Sequence, residues 1–129
     1  MIKDLQLLFR MKEKIVVGLI SGTSMDGIDA ALIRIRGKGA DTDLHLLEFV
    51  CLPYPAEIVT KLGRLRECAP GDISELNFLI GEAFAGAALA VIEKAGLTPK
   101  DVDLIGSHGQ TVSHIPPSAG VGVPSTLQI

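Results

Sequence analysis

The stretch "GLISGTSMDGIDAALIRI", Gly18 to Ile35, decides how this chain is read. Two apolar runs flank a knot of Gly, Ser, Thr and Asp. The first run, "KIVVGLI", Lys14 to Ile20, predicts a buried strand. The second, "IDAALIRIR", Ile28 to Arg36, predicts another, with Leu32, Arg34 and Arg36 on one face and Ile33 and Ile35 on the other. Between them "SGTSMDG", Ser21 to Gly27, spans seven residues, longer than the usual hairpin loop of about two to five. Its glycines allow tight turning and close approach of the backbone to a ligand. Ser21, Thr23 and Ser24 supply hydroxyls, and successive N–H groups in such a turn can form an anion-binding nest. Asp26 is unsuited to touching a phosphate and would instead place Mg²⁺, through water. Asp29 would hold the loop by accepting from backbone N–H groups. The same residues also fit a plain hairpin turn built from small side chains.

Known phosphate motifs narrow the choice. No Gly-Lys-Ser/Thr follows, so the turn is not a Walker A loop. It is not G-x-G-x-x-G either, and it leads into a strand rather than a helix. A strand–loop–strand phosphate cradle is the device of the actin, Hsp70 and sugar-kinase superfamily.

Outward from this centre, "LHLLEFVCL", Leu44 to Leu52, predicts a third strand, and short links favour an antiparallel meander. "PYP" ends it, with Tyr54 as a packing anchor. "AEIVTKLGRLREC" has Ile58, Leu62 and Leu65 at helical spacing. "APGD" breaks that helix, and Asp72 opens a longer one, with Asp72 and Glu75 in a D-x-x-E cap pattern. Leu76, Ile80, Ala83, Ala87 and Val91 mark its apolar stripe, widened by Leu79, Phe84 and Ala88. Gly96 is its C-terminal stop. "DVDLIGSHG" gives a short strand that runs into a polar loop, "HIPPSAGVGVP" is extended, and "STLQI" reads as a strand cut as it begins. The fold class is α/β: a mixed sheet with early antiparallel strands and helices packed against it.

The second polar knot, "GSHGQTVSH", Gly106 to His114, again follows a strand end, where ligand sites of α/β folds cluster. Ser107, His108, Gln110 and Thr111 crowd hydrogen-bonding side chains together. Gln110 both donates and accepts, which suits sugar hydroxyls or an acetamido group. His108 and His114 lack a standard metal spacing. Ser107 and His108 are neighbours on a strand end and should point apart, which argues against a Ser-His nucleophile.

Bulk numbers set limits. With 47% hydrophobic and 21% charged residues in 129, the chain has the composition of one globular domain rather than a disordered one. A net charge of -3 without a basic stripe argues against a nucleic-acid partner. The longest uninterrupted apolar run, "AFAGAALAVI", has ten residues, short of the ~18 of a membrane span. Cys51 and Cys68 are expected to be free thiols. "MIKDLQLLFRMKEK" does not fit a signal peptide, so a cytoplasmic location is the default. Its first ten residues are either an extension upstream of Met11 or a short amphipathic helix using Leu5, Leu8 and Phe9.

Taken together, "GLISGTSMDGIDAALIRI", "GSHGQTVSHIP" and "TLQI" closely resemble the anhydro-N-acetylmuramic acid kinase family, in the family's order, from about Ile15 to Ile129. The resemblance implies an actin-like ATPase (ribonuclease H-like) fold with two domains around a cleft. It implies ATP-dependent phosphorylation of 1,6-anhydro-N-acetylmuramic acid, with Mg²⁺, water opening the anhydro ring to give N-acetylmuramic acid 6-phosphate. It also implies a role in peptidoglycan recycling in the cytoplasm, and a possible homodimer. Carried onto this chain, the ATP-phosphate loop matches Gly22, Thr23, Ser24, Met25, Asp26, Gly27, Ile28 and Asp29. The sugar wall matches Ser107, His108, Gln110 and Thr111.

Two departures stand out. The wider superfamily places an Asp where this chain has Ile20. Family chains are also much longer than 129 residues, and the resemblance places the water-activating carboxylate beyond Ile129. The expectation is an N-terminal extension, 1–13, followed by an N-terminal lobe, 14–129, truncated and inactive alone. A non-catalytic nucleotide- or amino-sugar-binding module and a purely structural domain stand as alternatives.

Overall fold

A computed structural model describes residues 2–120 and 122–129, with side chains from residue 6 onward. Five strands form one mixed sheet: β1 (Glu13–Ser21), β2 (Gly27–Arg36), β3 (Asp43–Pro53), β4 (Leu104–Ile115) and β5 (Ser125–Gln128). The order across the sheet is β3-β2-β1-β4-β5. The first three strands form the antiparallel meander that their short links require. β4 runs parallel to β1, reached through a helical crossover, and β5 turns back antiparallel to it. The α/β class with early antiparallel strands is therefore observed, in the arrangement of an actin-like lobe.

Period-two alternation makes the core. Val17 and Leu19 of β1 and Ile28, Ala30 and Leu32 of β2 point to one face of the sheet. Helix α3 (Pro70–Lys94) lies on that face and buries Leu76, Ile80, Phe84, Ala87, Ala88, Val91 and Ile92 there. Helix α2 (Ala56–Leu62) adds Ile58 and Leu62. Each of the larger of these side chains, Leu76 or Ile80 for example, contributes about 1.5–3 kcal/mol of transfer free energy. By length and composition α3 could cross a membrane, yet its buried stripe packs on the sheet as a core helix does.

Several boundaries differ from the sequence-based expectation. α2 stops at Leu62 and gives way to a short 3-10 turn, Leu65–Glu67, so the helix expected through Cys68 is interrupted. α3 starts at Pro70, not Asp72: Pro70 occupies the first turn, where its missing N–H costs nothing. Asp72 instead reaches back to accept from the Ala69 N–H at 2.8 Å, and Glu75 pairs with Lys61. The C-terminal stop is as expected. Gly96 has φ +71, and the bonds Gly96 N–H to Glu93 O and Leu97 N–H to Ile92 O close a Schellman motif. "HIPPSAGVGVP", expected extended, holds a 3-10 turn at Pro117–Ala119.

At the N-terminus Ile2–Arg10 form helix α1. Phe9 is exposed and Leu8 half-buried; the Leu5 side chain lies outside the described residues. Both cysteines are free. Tyr54 is in the core, as expected of a packing anchor.

Candidate functional site

The polar knot after β1 is tighter than its composition implies. Ser21 belongs to β1 and Gly27 to β2, so the turn proper is Gly22–Asp26. It closes with the Met25 N–H donating to Gly22 O at 3.2 Å. Met25 has φ +56, and among the described residues it is the one non-glycine in the left-handed region. Its half-buried side chain packs against the core, which anchors the turn from below. Thr23, Ser24 and Asp26 are exposed, and their amides have no partner among the described residues. The Ser24 hydroxyl donates to Asp26 Oδ1 at 2.7 Å. The turn therefore offers free N–H donors beside one carboxylate. That donor set fits phosphate oxygens and a hydrated divalent cation.

The remaining residues expected in this loop have other surroundings. A Cβ on Gly27 would lie 2.5 Å from Leu52 O, so this glycine serves close packing against β3. Ile28 is buried, leaving only its backbone near the turn. Among the described residues Asp29 accepts no hydrogen bond from a loop N–H; it faces the sheet surface opposite α3, as cross-strand partner of Ile20 and Cys51. Asp29 beside Cys51 pushes that thiol's pKa up. A carboxylate thus stands one strand away from the position where the superfamily resemblance puts one.

The second knot is not a loop. "GSHGQTVSH" lies within the twelve-residue strand β4. Its polar composition hid the strand, and a bulge shapes it. Leu19 pairs with Ser107 and Ser21 with Gln110, so His108 and Gly109 together oppose Ile20. Gly109 takes φ +72, and a Cβ there would meet Ile129 O at 2.6 Å. In an unbroken strand Ser107 and Gln110 would face opposite ways; the bulge sets both opposite inward-facing residues of β1.

The two knots meet at Gln110. Its side chain is 0% exposed. Oε1 accepts from the Ser21 hydroxyl at 2.8 Å and the Tyr54 hydroxyl at 3.1 Å. Nε2 donates to Gly22 O at 3.2 Å and Thr111 O at 3.0 Å. Gln110 was expected on the sugar wall; with every donor and acceptor engaged, it has none to offer a ligand. Ser21 also turns inward, and its single hydroxyl proton is shared between Gln110 Oε1 and Gly27 O, the latter at 2.6 Å. Burial pushes the Tyr54 phenol's pKa up, and its hydrogen bond with Ser21 opposes that.

Beside this knot a cavity of about 330 Å³ opens between α3 and β4. Asn77, Ser107, His108 and Gln128 give it polar groups, and Phe84 and Ile129 give it apolar ones. Its volume is in the range of small-ligand sites. Gln128 Nε2 donates to His108 Nε2 at 2.9 Å and approaches Thr111 Oγ1 at 3.4 Å. Ser107 Oγ accepts from the Gly109 N–H at 3.2 Å, and among the described residues no hydrogen bond joins it to His108. Asn77 and Gln128 were not singled out as site residues. Gln128 had a signal, its place in "TLQI"; Asn77 had none beyond its position in a helix.

A family profile described as anhydro-N-acetylmuramic acid kinase matches residues 14–129. A protein named anhydro-N-acetylmuramic acid kinase from Caldanaerobacter subterraneus subsp. tengcongensis is 52% identical over 128 aligned residues, covering 95% of this chain and 32% of its own length. Proteins of the same name from Bacillus thuringiensis subsp. konkukian and Bacillus cereus are 40% and 39% identical, each covering 88% of this chain and 31% of their own length. The chain thus spans about a third of the length of the curated relatives it matches. With the match running through both polar knots and β5, the chain belongs to the anhydro-N-acetylmuramic acid kinase family.

Proposed function

We propose that residues 14–129 act as the N-terminal lobe of a kinase that phosphorylates 1,6-anhydro-N-acetylmuramic acid with ATP. The γ-phosphate goes to O6, water adds at the anomeric carbon, and the C1–O6 bond breaks. The product is N-acetylmuramic acid 6-phosphate. The observation that carries this reading is the juxtaposition, within the stretch that matches the family, of a turn tied to β4 through Gln110 and a small polar cavity lined by the neighbouring β4 residues Ser107 and His108.

In this reading the amides of Thr23, Ser24 and Asp26 bind phosphate oxygens, and Gly22 lets the backbone come close. Asp26 would hold Mg²⁺ through water, and the metal would supply charge neutralisation for phosphoryl transfer. Ser107 and His108, with Asn77 and Gln128, contact the amino sugar, and Thr111 supports Gln128. Met25, Gly27, Ile28 and Asp29 contribute through the scaffold. The enzyme works in the cytoplasm, in recycling of peptidoglycan fragments, and functions as a homodimer.

One observation favours a binding role for these 129 residues taken alone. Among the described residues no carboxylate lines the cavity. Activation of water needs a base within hydrogen-bond reach, so we assign that base to a part of the longer kinase outside this segment. The test is mass spectrometry of 1,6-anhydro-N-acetylmuramic acid with MgATP. A product gaining one phosphate and one water is expected from a chain of the relatives' length, and not from these 129 residues. Asp26→Ala in the longer chain should abolish it. If the longer chain forms no such product, the kinase reading falls. Product from the 129 residues would make His108 the base to test.

A further inference from the structure

Gln110 raises a question that a ligand role does not answer. It is fully buried, and all four of its hydrogen-bonding positions are engaged within the protein. The reverse amide orientation would set Oε1 against two carbonyl oxygens, Gly22 O and Thr111 O, so its direction is fixed. Tyr54 and Ser21 hold the acceptor end. The donor end reaches the first carbonyl of the phosphate turn.

Gly22 O is a pivot. It accepts from the Met25 N–H and from Gln110 Nε2, each at 3.2 Å. In a trans peptide the C=O and the following N–H point in opposite directions across one rigid plane. A carbonyl pinned toward Gln110 therefore turns the Thr23 N–H the other way, out of the protein. Thr23 is exposed, and among the described residues its amide has no partner. This plane turns about ψ of Gly22, and a residue without Cβ restrains that rotation least, so glycine at position 22 would otherwise leave the plane free to turn. A rotated plane would present a carbonyl oxygen to the same space, where an anion would be repelled.

We propose that Gln110, braced by Tyr54 and Ser21, is a positioning residue that locks the Gly22–Thr23 peptide with its N–H outward, ready for an anionic phosphate. Its consequence for catalysis rests on the phosphate reading of the turn given above. The peptide lock itself is a property of this chain and is measurable without substrate.

The test has two arms. In the 129-residue chain, ¹⁵N relaxation of Gln110→Met and Tyr54→Phe is compared with the parent. Exchange broadening should appear at Thr23 and Met25 and be absent from α3. In a kinase of the relatives' length, Gln110→Met should raise KM for MgATP about tenfold, the loss of one well-placed hydrogen bond to a charged group. KM for the amino sugar should stay within about twofold, because the residue makes no contact with the cavity. Where Gln110→Met fails to fold, Tyr54→Phe, which removes a single hydroxyl, carries both arms. A rise in the sugar KM with the MgATP KM unchanged overturns the proposal and returns Gln110 to the sugar wall. Unbroadened Thr23 and Met25 amides in both variants overturn it too. A longer chain without turnover on the amino sugar counts against the kinase reading, and the lock is then judged on the relaxation data and on line shifts of Thr23 with added MgATP.

Discussion

Tyr54 is 5% exposed and its hydroxyl ends on Gln110. Burial penalises the phenolate, so the folded-state pKa lies above the ordinary 10.0, with the Ser21 hydrogen bond working in the opposite direction. For an acid whose pKa is raised on folding, the neutral form is favoured in the folded state. The resulting stability is fully present below the unfolded pKa and is lost as pH rises through the folded one. Tyr54→Phe removes both the hydrogen bond and the titration. At pH 8 the variant should be less stable by about 1 kcal/mol. That gap should narrow above pH 10, as ionisation of the unfolded chain draws only the parent down. Urea unfolding of both proteins from pH 8 to 11 measures it; a gap constant across the range contradicts the assignment. The same residues mark the limit of reading by sequence. Tyr54 between two prolines was legible as a packing anchor. Gln110 was legible as a residue rich in hydrogen-bonding capacity, but sequence does not say that the capacity is already used. Ser21 carried a clue: it continues the inward alternation of Val17 and Leu19.

Elements differ in how openly the sequence declares them. β1, β2 and β3 extend only a residue beyond each end of the apolar runs at most, because burial on one face imposes a pattern that composition reveals. β4 does the same backbone work with Gly, Ser, His and Gln, so it read as a short strand and a loop. Its place is set by pairing with β1 and β5, a contact at long sequence separation that local pattern does not encode. The start of α3 is a subtler case. Asp72 and Glu75 looked like the two ends of a cap. The structure gives Asp72 the capping bond to Ala69 and gives Glu75 a surface pair with Lys61. The two readings separate cleanly by mutation. Asp72→Ala should cost about 1 kcal/mol, as expected for loss of a helix-terminal bond. Glu75→Ala should cost clearly less, since an exposed ion pair is weak and screened by salt. Thermal or urea unfolding at low and high salt distinguishes them. Equal losses at both positions, neither shrinking with salt, would favour the D-x-x-E cap.

At the scale of the whole molecule the sheet has two unequal faces. α3 and α2 cover one, and the other carries Gly18, Ile20, Asp29, Ala31, Phe49 and His108 around a shallow open depression. Ile20 is 45% exposed and Phe49 43% exposed, and Ala31 lies directly across from Phe49. An apolar surface of this kind on a sheet whose outer strand is β3 favours association between chains. The alternation in "IDAALIRIR" already put apolar residues on both faces, so a sheet with a second apolar face was legible. What stands against it was not, because that depends on which segments the chain brings to each side. The 129-residue chain should therefore associate as its concentration rises. Phe49→Ser should shift it toward monomer while changing its stability little, because the side chain already contacts solvent and leaves no enclosed cavity behind. Leu76→Ala, on the covered face and fully buried, should do the reverse, lowering stability by about 2–5 kcal/mol. Sedimentation velocity over a concentration series, paired with urea unfolding, reads both quantities. If Phe49→Ser leaves the association unchanged, the open face is not the surface through which the chains meet, and the unpaired edge of β3 becomes the next to alter.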